Sequence, residues 1–280
     1  MQMSERNILL PPTRCRNTEF RWGERTYIMG ILNLSPDSFS GDGLGDDMAA
    51  IVARARQMVA EGTDIIDIGG ESTRPASQPV TADEEMRLVI PAIERLAAEV
   101  SIPISIDTYK SKAASRAIKA GANMINDVWG LQRDPKLAAV VAEAGVPVVL
   151  VSNQRHNSGH YDIMAEVISS LKRSISQAEK AGIAGQNIII DPGIGFGKSA
   201  EQNMLLISRL AELKVLGKPI LLGTSRKFGS SQVPGRKLEA TSVTVAIGIA
   251  NGADMVRVHD VKEMLQVARM SDAIVRKAVK

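Results

Sequence analysis

EGTDIIDIGGES, residues 61–72, is the stretch whose reading decides the fold. Glu61-Gly62 is the signature of a helix that stops on a glycine. The apolar run that follows has the length of a buried strand, and it breaks into polar residues at Gly70-Glu71-Ser72. AGANMIND (120–127) and NGADMVRV (251–258) have the same form, repeating a structural joint rather than a sequence unit. Outward from these joints, eight short apolar runs punctuate the chain: YIMGILN to Asn33, DIIDIGGES to Glu71, PISIDT to Asp107, NMINDV to Asn126, PVVLVSN to Asn153, NIIIDPG to Asp191, PILLGTSRK to Lys227 and DMVRVHD to His259. Helical patterns fill the gaps that are long enough. Strand-then-helix units repeated eight times predict an α/β protein built as a single TIM (β/α)8 barrel, whose strand ends all open on one mouth. Residues scattered along the chain therefore belong to one candidate site.

The 280 residues fit one such barrel (27–280) with a lead-in or edge hairpin at 1–26 that caps its floor. Aromatic residues make up only 3% of the chain, so the core must be aliphatic. The net charge of +3 comes from basic and acidic residues dispersed among one another, without the clustered cations or aromatic platforms of a nucleic-acid binder. One cysteine, Cys15, excludes an intrachain disulfide framework. No run is long enough to span a bilayer, and MQMSERNILLPPTRCR lacks a signal-peptide core, so a cytoplasmic location is the expectation.

Helix punctuation is legible. A helix is expected over Met48–Glu61, with further starts at Thr81 or Asp83, at Thr108 or Ser111, at Asp134-Pro135 and at Asp162, and with Asp260 as a cap for the last helix. Gly62, Gly121, Gly145, Gly182 and Gly252 are the expected C-terminal stops.

The strand ends carry the chemistry. Arg257 and His259 alternate on one strand and share a face, and beside Gly223-Thr224-Ser225-Arg226-Lys227 they form a candidate anion site. Asp107, Asn126 and Asp191 close three other strands, where they could read the edge of a flat heterocycle or ligate a divalent metal. DPGIGFGKS (191–199) is not a Walker loop, because Pro192 stands where the first glycine is required. Its glycines are read instead as a tight turn past the strand end, with Phe196 as an apolar wall. His156 and His160 lie in a loop pattern and make no zinc pair.

MGILNLSPDSFSGDG (29–43), DIGGESTRP (67–75), SIDT (105–108), INDVWG (125–130), DPGIGFGK (191–198), GTSRK (223–227) and RVHDV (257–261) together resemble the dihydropteroate synthase family. The resemblance runs from about Tyr27 to the C-terminus. It implies condensation of 6-hydroxymethyl-7,8-dihydropterin pyrophosphate with 4-aminobenzoate to 7,8-dihydropteroate and pyrophosphate, with Mg²⁺ as cofactor, in a cytoplasmic homodimer. By position, Asp107, Asn126, Asp191, Phe196, Gly223 and Lys227 would hold the pterin, and Asn33, Arg257 and His259 the pyrophosphate, with Asn33 also on the metal. Asp107, Asp191, Lys227, Arg257 and His259 would be the catalytic set. Loops 35–42 and 72–77 would close over the site, with Phe39, Asp42, Thr73, Arg74 and Pro75 around the aminobenzoate. Departures from the family pattern are Gly41 followed by Asp42 in the first loop, Val151-Ser152 at the fifth strand and Phe228-Gly229-Ser230-Ser231 after Lys227. The last of these keeps open a pterin-binding paralogue without synthase activity. A methyltetrahydrofolate:corrinoid methyltransferase is the other alternative, although it has no need of the GTSRK and RVH groups.

Overall fold

Two interleaved sets of apolar residues explain why the runs form strands. Met29, Ile65, Met124, Val149, Ile189, Leu221 and Met255 are buried together in one cluster, while Ile28, Ile66, Ile104, Ile125, Leu150, Ile188, Leu222 and Val256 pack in another that includes the helices. Each strand is thus apolar on both faces, one toward the barrel interior and one toward the helical shell, which is why the runs read as continuous rather than alternating. In this computed structural model, residues 10–35, 43–72, 78–155, 162–228 and 236–276 are described.

A hairpin, β1 (Thr13–Cys15) and β2 (Thr18–Phe20), precedes the barrel strands β3 (Tyr27–Asn33), β4 (Ile65–Gly69), β5 (Ile104–Asp107), β6 (Met124–Asp127), β7 (Val148–Val151), β8 (Ile188–Asp191), β9 (Leu221–Leu222) and β10 (Met255–Val258). The barrel strands pair in parallel in the order β8-β7-β6-β5-β4-β3-β10-β9, and an Ile190–Ile220 bridge joins β8 to the entry of β9, closing the ring. The helices are α1 (Met48–Glu61), α2 (Ala82–Glu99), α3 (Ser111–Ala120), α4 (Leu137–Ala144), α5 (Ile163–Lys180), α6 (Ala200–Ser208), α7 (Lys237–Ala250) and α8 (Val261–Val275). The barrel expected from the sequence is observed, and α1 has the expected bounds.

The hairpin closes the barrel floor. Phe20, Trp22 and Tyr27 stack within 5.0–5.6 Å of one another and join the interior cluster. Arg16 donates to the carbonyls of Val100 and Ile102 ahead of β5, and Thr13 Oγ1 to that of Gln186 ahead of β8. Cys15 is buried in the same floor, and burial pushes its thiol up to about 12, so it is not a nucleophile at neutral pH.

Most punctuation holds. Thr81 begins α2 with a capping box shared with Glu84, and Asp162 caps α5 through the Met164 N–H. Gly62, Gly121 and Gly145 are left-handed C-caps, while Gly182 and Gly252 fall one residue beyond the caps Ala181 and Asn251. Asp260 differs from expectation. It stands at the α8 N-terminus, but its carboxylate is taken by Arg226 at 2.6 Å instead of the helix N–H groups. Asp134 caps no helix by itself; it accepts from the N–H groups of Ser111 and Lys136.

The turn after β8 is built as its glycines suggest. Gly193 and Gly197 take φ of +71° and +72°, and a Cβ on Gly193 would lie 2.0 Å from the Ser152 carbonyl oxygen. Lys198 Nζ donates to the carbonyls of Ser152, Gly193 and Phe196, so this lysine pins backbone and leaves no phosphate cradle. Gly193→Ala should therefore cost at least about 2 kcal/mol, from left-handed strain plus the clash. Urea unfolding checks this; a loss below about 0.5 kcal/mol would show that the turn relaxes freely.

Candidate active site

Inward-facing positions recur every second residue along a strand, and toward the C-terminal ends they change from apolar to polar. Met29 gives way through Ile31 to Asn33, Ile65 to Asp67, Met124 to Asn126, Ile189 to Asp191, and Met255 to Arg257 and then His259, while on β5 the inward pair Ser105 and Asp107 is polar throughout. The change in character, at constant parity, brings these side chains into one mouth. They line a cavity of about 230 Å³ together with Phe196, Gly223, Ser225, Lys227, Arg155 and Glu71, while Asp67 lies below it. Register sets the heights: Asp107 lies opposite Asn126 on one side and Gly69 on the other, and Gly69 lies opposite Asn33. A Cβ on Gly223 would sit 3.8 Å from Asp191 Oδ2, Lys227 Nζ and Arg257 Cβ, so the missing side chain leaves the centre of the mouth open.

Every pterin and pyrophosphate candidate taken from the sequence, Asn33, Asp107, Asn126, Asp191, Phe196, Gly223, Lys227, Arg257 and His259, lines this one cavity. Not all are strand termini. β4 stops at Gly69, β7 at Val151 and β9 at Leu222, so Glu71, Asn153 and Lys227 belong to the loops that follow. Phe39, Asp42, Thr73, Arg74 and Pro75, with His156, His160 and the segment from Gly229, lie outside the described residues.

An ion network occupies one wall. Arg257 donates Nε to Asp67 Oδ2 at 2.6 Å and Nη2 to Asp107 Oδ2 at 2.8 Å, and Asn126 Nδ2 reaches the same Asp67 oxygen at 3.0 Å. Asn126 Oδ1 is buried and has no hydrogen-bond donor among the described residues. Burial pushes the Asp107 carboxyl up to about 7, with Arg257 opposing the rise and Asp67 adding to it. Asp67 was missed in the sequence because it sits inside an apolar run; only its inward parity two residues before Gly69 marks it.

On the facing wall, Lys227 Nζ donates to the Ile194 carbonyl at 2.7 Å and lies 4.8 Å from the centre of the Phe196 ring. Arg155, also missed, stands 5.0 Å from the same ring. Asp191 Oδ1 accepts the Gly193 N–H at 2.6 Å. Burial raises the Asp191 carboxyl, while Lys227 pulls it down. Burial lowers the Lys227 ammonium to about 8, against the attraction of Asp191. At the rim, Lys110 pairs with Glu71 and, at 2.6 Å, with the buried Glu85.

His259 lies between Ser225 Oγ, 2.9 Å from its Nδ1, and Asn33 Nδ2, 3.4 Å from its Nε2. Burial, then the charges of Arg226, Arg257, Lys227 and Arg54, lower it to about 2, so the imidazole is neutral at every physiological pH. The cationic share of the anion site comes from Arg257 and Lys227, and His259 contributes a neutral ring nitrogen. Among the described residues no group of three or more His, Cys, Asp or Glu side chains is placed to hold a metal.

The fold and its mouth define a parallel barrel with buried carboxylates and an amide set beside two cations at the C-terminal strand ends. Comparison with known proteins gives the family. Residues 29–259 match the model of the pterin binding enzymes. The dihydropteroate synthase of Bacillus subtilis is 47% identical over 258 residues, covering 91% of this chain and 90% of that protein. The dihydropteroate synthase of Clostridium difficile, solved in the presence of pteroic acid, superposes with a TM-score of 0.85 at 49% identity, covering 92% of this chain and 99% of that one. That of Xanthomonas albilineans, solved with 4-aminobenzoic acid, gives 0.87 at 38% identity, covering 97% and 100%. The chain belongs to the pterin-binding enzyme family and, within it, to the dihydropteroate synthases, transferases of folate biosynthesis.

Lys227 links ligand binding to pH. A ligand that takes a hydrogen bond from its ammonium should bind less tightly as pH rises through about 8, where burial makes the ammonium give up its proton. The sign for stability is opposite. The charged form is the one penalised by burial, so the penalty is complete below about pH 8 and is relieved as pH rises toward the ordinary lysine value of 10.5. Calorimetric titration of pterin across pH 6–10 should show the loss above about pH 8, and Lys227→Arg should abolish that limb. An unchanged limb in Lys227→Arg would assign it to another group.

Proposed function

We propose that the cavity described above binds 6-hydroxymethyl-7,8-dihydropterin pyrophosphate beneath 4-aminobenzoate and joins them to 7,8-dihydropteroate with release of pyrophosphate. The observation that carries this reading is the pairing in one buried mouth of acceptors, Asp107, Asn126 and Asp191, with cations, Lys227 and Arg257. The 2-amino and ring N–H edge of a pterin offers donors to Asp191 and to Asn126 Oδ1, while Lys227 donates to the carbonyl oxygen and ring nitrogen. Phe196, already faced by Lys227 and Arg155, offers an apolar surface for the ring.

The reaction breaks the bond between the pterin methylene carbon and the pyrophosphate oxygen, whose electron pair leaves with pyrophosphate. The aminobenzoate nitrogen supplies the electron pair of the new bond to carbon, and the proton it then loses passes to the released pyrophosphate. Arg257 has Nη1 left for the leaving group after its two carboxylate contacts, and His259 and Asn33 stand beside it. Developing positive charge on the methylene is met by the Asp107 and Asp191 carboxylates. No side-chain nucleophile is required, and Cys15 lies in the floor, remote from the mouth.

A magnesium ion fits this donor set only in company with substrate. Asn33 turns Nδ2 to His259 and keeps Oδ1 for a cation, and magnesium commonly takes few protein oxygens alongside phosphate oxygens and water. When bound it would neutralise pyrophosphate charge. A homodimer is supported by apolar residues exposed on the last helices, Leu205 of α6, Leu238, Val243 and Ile247 of α7, and Met270 and Ile274 of α8. Val243→Glu with Ile274→Glu should shift the protein to monomer in sedimentation; an unchanged species would place any interface elsewhere. No helix among the described residues is long and apolar enough to cross a membrane, and the cytoplasm is the location proposed with this activity.

The decisive assay incubates purified protein with dihydropterin pyrophosphate, Mg²⁺ and 4-aminobenzoate. Formation of dihydropteroate and pyrophosphate that depends on aminobenzoate is expected. Tight pterin binding without dihydropteroate would instead support a non-synthase paralogue.

A further inference from the structure

Asp67 is completely buried and does not line the cavity, yet its Oδ2 receives donors from two residues that do: Arg257 Nε at 2.6 Å and Asn126 Nδ2 at 3.0 Å. Its other oxygen, Oδ1, is buried and has no hydrogen-bond partner among the described residues. Charge balance does not explain this placement. Arg257 already has Asp107 at 2.8 Å, and a second anion in the same dry space adds desolvation and repels the first. Geometry does explain it. β4 lies between β3 and β5, and Asp67 is in register with Ile31 and Ser105, one inward step below Gly69 and Asp107. From that height one carboxylate oxygen reaches Arg257 rising from β10 and Asn126 rising from β6.

We propose that Asp67 is a positioning residue that aligns Arg257 and Asn126 through a single oxygen, so that the pyrophosphate-binding and pterin-binding halves of the site are set by one side chain that touches neither ligand. With Nε fixed, the guanidinium plane is fixed, and Nη1 is aimed by default rather than by the ligand. With Nδ2 fixed, the Asn126 amide cannot flip, and Oδ1 is presented as the acceptor for a ligand N–H. Both side chains are ordered before substrate arrives, which reduces the ordering loss on binding. The inference rests on the substrate reading given under Proposed function.

The test is calorimetry with two separate probes, pyrophosphate with Mg²⁺ and unphosphorylated 6-hydroxymethylpterin. It uses the wild type, Asp67→Ala, Arg257→Ala, Asn126→Ala and the two double variants that contain Asp67→Ala. Asp67→Ala removes the shared acceptor oxygen and should weaken both probes by about tenfold or more. In the Arg257→Ala background it should cause no further loss for pyrophosphate, and in the Asn126→Ala background no further loss for pterin. Affinities within about twofold of the wild type, or losses that add to those of the partner variants, would overturn the proposal. Thermal unfolding checks that each variant is folded. Should Asp67→Ala fail to fold, Asp67→Leu removes the acceptor oxygen while filling its space. It should show the same losses for both probes, and wild-type affinity there would equally overturn the proposal. A wild type that binds neither probe would refute the substrate reading itself, a result distinct from all of these.

Discussion

A guanidinium held inside a barrel by two carboxylates, Arg257 between Asp67 and Asp107, is the interaction on which the rest of the mouth depends. Asp67 is fully buried and the other two largely so, and ions withdrawn from water in this way carry a desolvation penalty that their mutual attraction repays only with good geometry. The helical shell and the aromatic floor bear that penalty. They bury both faces of every strand and exclude water, and the parallel register then fixes the heights from which the charged side chains meet.

Electrostatics in the mouth run in one direction. Burial raises Asp107 and Asp191 and lowers Lys227 and His259, so each group is pushed toward its neutral form. A ligand that brings a donor edge to the carboxylates and an anion to the cations reverses those pushes, because it supplies the partners that water no longer provides. A pyrophosphorylated pterin has both features in one molecule. The same burial that penalises these charges also protects an electrophilic methylene from water.

Much of this was legible in the chain because parallel strands covered on both faces are apolar throughout and stop abruptly at polar residues. Asn33, Asp107 and Asp191 are strand termini in the structure, and the runs ended on them. Asn126 lies one residue inside β6. What escaped was anything whose role depends on three-dimensional neighbours. Asp67 is hidden in DIIDIGG, and Arg155 follows a strand with nothing local to mark it as a partner of Phe196. Asp260 has the sequence position of a helix cap but is drawn to Arg226, because an ion pair with a nearby guanidinium outweighs a cap hydrogen bond there. Lys227 reaches the mouth for a different structural reason, since β9 is only two residues long and the lysine projects from the turn beyond it.

The most direct measurement is a crystal structure of the protein with 6-hydroxymethyl-7,8-dihydropterin pyrophosphate bound. The account predicts the pterin edge on Asn126, Asp191 and Lys227, the pyrophosphate on Asn33, Arg257 and His259, and the Asp67 contacts to Arg257 and Asn126 retained. A pterin bound outside this wall, or a pyrophosphate that leaves Arg257 untouched, would contradict it.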